Sequence, residues 1–286
     1  MSNKMITIIV PILNEEENIS MFVLSIIEQT YRPIELILID GGSIDKTLFK
    51  IYSIINKNID NTFNIRLISE YGIIKTPANA RNIGLDNTSG KFIMIIDCDT
   101  VFTDKNILQS TISEMRNDNS ILIEFTPIID TELEQFILDT YGRSGVILYK
   151  KALIGNHRFV PLLGYGEDRV FTYEIFKNLD YIAKVASKNI GRHYPHTLKE
   201  YAKQNEWYGK TILKYIQVSL KTNKKDAYLR IIFIFYNVSI CIFPFISVLR
   251  NYRYKPKQPI GYIKSFVYSF VASFYFTKGF MSNWRI

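Results

Sequence analysis

Short apolar runs alternate with segments of helical hydrophobic spacing along the first hundred residues. Apolar residues at Ile19, Val23 and Ile26 lie on one face of a predicted helix, and further helices are predicted to about Asn58 and from Thr76. Four runs have the length and β-branched content of buried strands: Met5–Ile12, Ile34–Ile39, Ile65–Ser69 and Phe92–Ile96. The resulting order, βαβαβαβ, predicts an α/β protein with a mostly parallel sheet and helices on both faces.

Acidic residues follow two of these predicted strands at the point where each strand ends. Asp40 follows the second run, and Asp97 and Asp99 follow the fourth. In an open α/β sheet, ligands bind in the crevice beyond the carboxyl ends of the strands. Two carboxylates at that place suit a hard divalent cation that also binds phosphate oxygens. The alternative is a turn without a ligand, because Asp favours turns on its own account.

Helix-start signals follow the first three predicted strands. Asn14 and Glu17 have the spacing of a capping box, and Ser43 is a candidate N-cap for the second helix. Thr76 followed by Pro77 predicts an N-cap with proline in the first helical position. We therefore expect each of these helices to begin close to the end of a strand.

Helices and strands continue to alternate up to residue 220. Helices are predicted at Thr103–Met115, Arg169–Asn178 and Thr197–Leu220, and strands at Ser120–Phe125, Val146–Tyr149 and Tyr181–Ala186. Glu167 and Asp168 lie between a glycine-containing loop and a predicted helix. A carboxylate at such a junction suits a general base, although acids also favour helix N-termini for electrostatic reasons alone.

Composition limits the classes of protein that the chain can represent. The 286 residues are 47% hydrophobic, which excludes disorder. The two cysteines, Cys98 and Cys241, lie in apolar runs and suggest neither a disulfide framework nor a CxxC metal site. The N-terminal sequence lacks the apolar region and cleavage site of a signal peptide. Residues 1–220 carry no basic stripe interleaved with aromatics, so we expect no nucleic-acid partner.

The C-terminal part differs from the rest in charge and hydropathy. The net charge is +8, and the residues from Lys221 onward contain eleven basic residues and one acid. Two apolar stretches, Ile231–Leu249 and Tyr262–Phe276, lie in the same region. We predict a catalytic domain at residues 1–220 and a helical, membrane-associated segment at residues 221–286. A spanning hairpin, an interfacial hairpin and a buried helix pair are the alternatives, and the basic residues on both flanks favour the interfacial one.

Four motifs resemble, in order, the signature of family 2 glycosyltransferases with the GT-A fold. They are Val10-Pro11-Ile12-Leu13-Asn14-Glu15, Asp40-Gly41-Gly42-Ser43-Ile44-Asp45, Ala80-Arg81-Asn82-Ile83-Gly84 and Asp97-Cys98-Asp99. The resemblance implies a nucleotide-sugar donor, a divalent metal such as Mn²⁺ or Mg²⁺, and inversion at the anomeric carbon. It extends to about Gly209 and is most specific before Thr100.

The resemblance also implies roles for individual residues. The donor-binding residues would be Pro11, Asn14, Glu15, Asp40, Arg81 and Asp97, with Asp99 and Asp97 at the metal. Glu167 and Asp168 would be the catalytic Glu-Asp pair, and Asp168, its second acid, would be the base. Some related enzymes complete the metal site with a histidine at about the place of His193 or His196, although surface histidines fit the sequence equally well.

A fifth segment departs from the pattern of the polymer-making members. Gln204-Asn205-Glu206-Trp207 is similar to their Gln-x-x-Arg-Trp motif but is one residue short and has Glu206 in place of the arginine. We therefore expect an enzyme that does not make a long polymer.

The predicted function is that of a membrane-associated, cytoplasm-facing glycosyltransferase. It would move a sugar to a hydroxyl or phosphate of a lipid-linked or glycan acceptor. Two alternatives remain from the sequence: a nucleotidyltransferase on a related fold, and an inactive module that binds a sugar nucleotide or a membrane. The first would need a glycine-rich loop after the first strand, and Pro11–Glu17 has no glycine. The second would be expected to lack the strand-end acids.

Overall fold

The structure is a computed structural model, and its described residues form two compact units. The described residues are 5–58, 62–117, 122–127, 146–164, 166–176, 183–190, 197–242 and 259–283. Among them, residues 5–127, 146–164 and 171–190 belong to the first unit, and residues 166–170, 197–242 and 259–283 belong to the second.

A sheet of seven strands runs through the described part of the first unit. The strands are β1 (Ile6–Ile12), β2 (Ile34–Asp40), β3 (Phe63–Ser69), β4 (Phe92–Ile95), β5 (Leu122–Pro127), β6 (Ile147–Lys150) and β7 (Ala183–Ile190). Their spatial order is β3-β2-β1-β4-β6-β5-β7. The first four strands pair in parallel, as do β5 and β7, and only β6 runs antiparallel to its neighbours among the described pairings. The prediction of a mostly parallel α/β sheet is confirmed.

Helices follow the strands and cover the sheet on both faces. They are α1 (Ile19–Ile27), α2 (Thr47–Asn58), α3 (Pro77–Asp86), α4 (Ile107–Asn117), α5 (Lys151–Ile154) and α6 (Glu167–Phe176). Because strand side chains alternate between faces, Ile8 joins the apolar cluster that includes Phe22, whereas Ile9 joins the cluster that includes Ile83. Two cores therefore hold the sheet from opposite sides.

The helix starts agree only in part with the sequence prediction. Thr76 caps α3, accepting a hydrogen bond from the Asn79 N–H at 3.2 Å, and Pro77 takes the first helical position as predicted. Asn14 does not cap α1, which begins after Asn18. The second helix begins at Thr47, whose N–H donates to Asp45 (2.9 Å), so the predicted capping role of Ser43 was also wrong.

A buried carboxylate joins β2 to the segment that precedes β4. Glu35 accepts hydrogen bonds from Thr7 Oγ1 (2.6 Å), Ser89 N (3.0 Å) and Ser89 Oγ (2.8 Å), and Arg66 lies 3.4 Å away. Burial opposes ionisation, but the bonds from Thr7 and Ser89 outweigh it and hold the pKa of Glu35 below its ordinary value.

We expect Glu35→Gln to destabilise the first unit by about 1–3 kcal/mol at neutral pH, because an amide accepts at one oxygen only and leaves a buried donor unpaired. The native pKa lies below the ordinary value of 4.5, so the stabilisation is complete above that pH and is lost as the pH falls through the native pKa. Urea unfolding of the unchanged protein and of the variant should therefore give a difference in unfolding free energy at neutral pH that becomes smaller in acid. Glu28→Gln, at an exposed position, is the matched control. An equal loss of unfolding free energy in this control would contradict the role of Glu35.

Three long helices make up most of the described second unit, and each contacts the other two. They are α7 (Leu198–Thr222), α8 (Lys224–Ile242) and α9 (Pro259–Asn283). Two glycines allow α7 and α9 to approach closely. A Cβ added at Gly209 would lie 2.0 Å from the carbonyl oxygen of Phe276, and one added at Gly279 would lie 1.9 Å from that of Glu206. The two backbones therefore meet at these glycines.

Gly279→Ala should destabilise this helix pair by about 1–3 kcal/mol, because the new methyl group meets backbone atoms that cannot rotate away. Helix propensity alone would give the opposite sign, a gain of about 1 kcal/mol. Thermal unfolding followed by circular dichroism separates the two results. Gln217→Ala, at an exposed position of α7, is the control and should change stability by less than about 0.5 kcal/mol. An increase in melting temperature for Gly279→Ala would refute the close crossing.

The second apolar stretch, Tyr262–Phe276, lies wholly within α9. The first, Ile231–Leu249, lies in α8 as far as Ile242, and its last seven residues are outside the described part of the chain. Over the described residues, none of the helices combines the length and the apolar character needed to cross a bilayer. The predicted domain boundary at residue 220 and the cytoplasm-facing orientation stay predictions.

Candidate functional site

Asp40 ends β2 and organises the turn that follows. Its carboxylate accepts hydrogen bonds from Gly42 N (3.1 Å) and Ser43 N (3.0 Å) and is largely buried. Gly42 has φ of 103°, a conformation that favours glycine. These bonds fix the carboxylate at the carboxyl edge of the sheet, as the sequence predicted.

The loop after β1 is bound to the loop after β2 by a set of hydrogen bonds. Asn14 N donates to Ser43 Oγ (2.9 Å), and Asn14 Oδ1 accepts from Ile44 N (2.9 Å). Glu15 N donates to Thr47 Oγ1 at 2.7 Å. Asn14 has φ of 55°, which turns the chain immediately after the strand containing Pro11. The predicted donor residues Pro11, Asn14, Glu15 and Asp40 therefore belong to one edge, where β1 pairs with β2 and the two following loops are hydrogen-bonded to each other.

Glu70 is a residue of this edge that the sequence analysis missed. It directly follows β3, and its N–H donates to the carbonyl oxygen of Asp40 at 2.7 Å. Its buried carboxylate accepts from Thr76 N (3.0 Å) and Asn79 Nδ2 (2.8 Å). A Cβ added at Gly41 would lie 3.3 Å from Glu70 Oε2, so the turn and this carboxylate are tightly packed. In the sequence, the feature that could have identified Glu70 is its position as a further acid directly after a predicted strand.

Arg81 forms an ion pair with the first acid of the Asp97-Cys98-Asp99 motif. Its Nη2 lies 2.8 Å from Asp97 Oδ1, with the arginine side chain 8% exposed and the aspartate side chain 42% exposed. The guanidinium carbon also lies 5.7 Å from the ring centroid of Phe159. Gly84 allows α3, the helix that carries Arg81, to pack closely against β1, since an added Cβ would lie 2.3 Å from Ile9 Cγ2. The structure thus joins two residues that the family resemblance placed in one site.

The charges of Asp97 and Asp99 act on Glu15 beyond the ends of β1 and β4. Burial raises the pKa of Glu15, a hydrogen bond from Asn18 opposes the rise, and the charges of Asp99 and Asp97 add to it. Burial followed by the charges of Glu15, Asp99 and Asp97 also raises the pKa of the Cys98 thiol, so this cysteine stays neutral. The group is therefore an electronegative patch in which an added cation would relieve repulsion.

The donor set fits a hard divalent cation in its chemistry. Asp99 is exposed and Asp97 is partly exposed, so their carboxylate oxygens can be reached from solvent. No cluster of three or more candidate metal-ligating side chains occurs among the residues described. Mg²⁺ and similar ions are commonly bound by one or two carboxylates together with substrate phosphates and water, so a protein cluster of three ligands is not required. His193 and His196 lie outside the described residues.

The predicted catalytic acids lie in the first turn of α6. Glu167 is buried, whereas Asp168 is partly exposed and accepts a hydrogen bond from Arg169 N at 2.8 Å. Gly166, with φ of 70°, precedes them, and a Cβ there would lie 2.2 Å from Cε2 of Tyr215. Both acids belong to the second unit. The helix start is therefore fixed by close packing, and Asp168 is the acid that solvent reaches.

Comparison with known proteins gives the family and several relatives. The sequence model described as "Glycosyl transferase family 2" matches residues 7–159. WfgD of Escherichia coli, a UDP-Glc:alpha-D-GlcNAc-diphosphoundecaprenol beta-1,3-glucosyltransferase, is 35% identical over 119 residues, which are 42% of this chain and 44% of WfgD. The minor teichoic acid biosynthesis protein GgaA of Bacillus subtilis is 34% identical over 132 residues, which are 44% of this chain and 28% of GgaA. The chain thus spans less than half the length of these curated relatives.

Solved structures resemble the fold over nearly the whole chain. The mannosyltransferase PcManGT from Pyrobaculum calidifontis, in complex with GDP-Man and Mn²⁺, has a TM-score of 0.67 at 15% identity and covers 99% of this chain and 87% of its own. S. aureus TarS 1-349 has a TM-score of 0.54 at 18% identity, covering 98% and 89%. The α/β fold is GT-A-like, as the motifs implied. Since the family model matches more than half of the residues, the chain belongs to glycosyl transferase family 2.

Proposed function

We propose that this protein is an inverting, metal-dependent glycosyltransferase that uses a nucleotide-diphosphate sugar as donor. The observation that carries the proposal is the juxtaposition of Arg81 with Asp97, two residues before the exposed carboxylate of Asp99. An arginine and an acidic cation site at one sheet edge suit a diphosphate, which needs positive charge on its oxygens.

The nucleoside would lie along the edge formed by the loops after β1 and β2. The Asp40 carboxylate is held by two backbone N–H groups and keeps acceptor capacity for a base or ribose donor. Pro11, Asn14 and Glu15 line the same edge. Asp99 and Asp97 would hold Mn²⁺ or Mg²⁺, which supplies Lewis-acid neutralisation of the leaving diphosphate when bound.

Sugar transfer also needs a base on the acceptor side. Asp168 would accept the proton of the acceptor hydroxyl as that oxygen forms a bond to the anomeric carbon and the bond to the diphosphate breaks. Attack opposite the leaving group inverts the anomeric configuration. Glu167, buried beside it, would position this turn of α6 without touching the acceptor.

The acceptor class is proposed from one relative and from the C-terminal composition. The name of WfgD states that its acceptor is a diphosphoundecaprenol-linked GlcNAc, which supports a lipid-linked glycan or polyprenyl phosphate for this chain. The basic, apolar region after Lys221 is consistent with an acceptor held at a membrane.

A donor screen tests the proposal. The full chain is incubated with UDP-, GDP- and dTDP-sugars, with Mn²⁺, Mg²⁺ or a chelator, and with a polyprenyl-diphosphate-linked or a water-soluble acceptor. We expect metal-dependent release of one nucleoside diphosphate and a product whose anomeric configuration, measured by NMR, is inverted. Retention of configuration would refute the inverting mechanism, and undiminished turnover with chelator would refute metal use. Absence of turnover with every donor would favour the inactive module.

A further inference from the structure

The outward face of α8 carries apolar side chains that the packing of the second unit leaves open. Its members, called here the α8 stripe, are Tyr228 (59% exposed), Leu229 (55%), Ile232 (63%) and Phe235 (68%). Spacings of three and four residues put them on one face of the helix. The opposite face is covered, since Ile234 and Asn237 are buried. A helix that is apolar on both faces but packed on only one leaves the other for a partner.

Positive charge adjoins one end of the stripe. Lys224 and Lys225 in the first turn of α8, and Lys221 just before it, are exposed. Asp226, the one acid between residues 224 and 242, is engaged within the unit, where it accepts a hydrogen bond from the Tyr215 hydroxyl and lies 3.6 Å from Arg230. The lysines at this end of the stripe therefore face solvent without an offsetting carboxylate from α8 itself.

We propose that the α8 stripe and its lysines form a docking surface for an anionic lipid bilayer. From Lys224 to Phe235 the surface runs about 17 Å along the helix axis. A helix lying in the interface buries its apolar face at the boundary of headgroups and acyl chains while its lysines meet lipid phosphates. Tyr228, with an apolar ring and a polar hydroxyl, suits the headgroup level.

The bilayer is favoured over three other occupants. A soluble polyanion would use the lysines and leave Ile232 and Phe235 in water. A protein partner would need an apolar patch with acids at one end, and a second copy of the same surface would bring lysines against lysines if the helices packed in parallel. An anionic bilayer offers acyl chains to the apolar side chains and phosphates to the lysines. The inference goes beyond the proposed transfer reaction and does not depend on it.

The test is binding of the full chain to vesicles of phosphatidylcholine alone or mixed equally with phosphatidylglycerol. We expect sedimentation with the anionic vesicles, weakened by salt. Ile232→Ser with Phe235→Ser should lower the partition coefficient about tenfold or more on those vesicles. Lys224→Gln with Lys225→Gln should lower it about 25-fold, and on the anionic vesicles only, since each lysine near such a surface contributes about fivefold.

Phe274→Ser is the matched control, since Phe274 is an exposed phenylalanine on α9 whose neighbouring cation, Lys278, is paired with Glu206 at 2.9 Å. It should leave vesicle binding unchanged. Circular dichroism should report native helicity for every variant, because the substituted side chains are exposed.

Three results would overturn the proposal. They are undiminished binding of the Ile232→Ser, Phe235→Ser variant, equal loss with Phe274→Ser, and dissociation of an oligomer by the stripe variant in light scattering, which would make the stripe a contact between copies. Release of nucleotide from the donor in detergent should be unaffected by the stripe variants. Loss of membrane docking is therefore distinguishable from failure of the proposed transfer reaction.

Discussion

Asp99→Asn should reduce sugar transfer on the order of 10³-fold while the protein stays folded. An amide keeps the size of the side chain but removes the charge that would attract a divalent cation, and Lewis-acid stabilisation of a leaving diphosphate contributes several kcal/mol. Asp99 is exposed, so little packing is lost. Turnover with saturating donor, Mn²⁺ affinity by calorimetry and melting temperature together report the effect.

The control for this variant is Glu17→Gln, which neutralises a different exposed acid, in the loop after β1. It should retain Mn²⁺ affinity and turnover within about twofold, because surface charges are screened over roughly 10 Å at ordinary ionic strength. If Asp99→Asn keeps metal-dependent turnover, Asp99 does not hold the metal. If both variants lose activity equally, general electrostatics of the patch is responsible.

The positions of the strand-end acids could be predicted because parallel strands bring their carboxyl ends to one edge. Asp40, Asp97 and Asp99 each follow a run of buried apolar residues, and periodicity located those runs to within a few residues. The partner of Arg81 could be identified only from the structure, since a lone arginine in a helix gives no sign of which carboxylate it contacts.

Local patterns failed where side chains bond to distant segments. The Asn14 and Glu17 spacing fits a capping box, yet the Asn14 side chain bonds to Ile44 in the next loop instead of to its own helix. Such a bond joins residues about thirty positions apart, so it cannot be predicted from the pattern of neighbouring residues. Glu70 was missed for the same reason, since its buried carboxylate is meaningful only beside Asn79 and the turn after β2.

The C-terminal region illustrates the limit of composition. Charge and hydropathy predicted helices and a membrane-associated role, and helices are present at Lys224–Ile242 and Pro259–Asn283. Composition did not predict the close approach of Gly209 and Gly279 or the inward placement of Asp226. The inward face of α8 is marked by the contacts of Asp226 with Tyr215 and of Asn237 with Ser273, which join residues on different helices and cannot be read from composition.

Asp168→Asn should lower turnover by a factor on the order of 10²–10⁴, the usual contribution of a general base. The amide cannot accept the acceptor's proton, but it keeps the oxygen that receives the Arg169 N–H, so the start of α6 should persist. Donor affinity, measured by binding of the nucleoside diphosphate with Mn²⁺, should change less than twofold, because the proposed role concerns the acceptor. Arg169→Gln, an exposed change in the same turn, is the matched control and should keep near-normal turnover. A parallel loss of donor affinity in Asp168→Asn would make Asp168 a nucleotide-binding or structural residue, and full activity would move the base elsewhere in the chain.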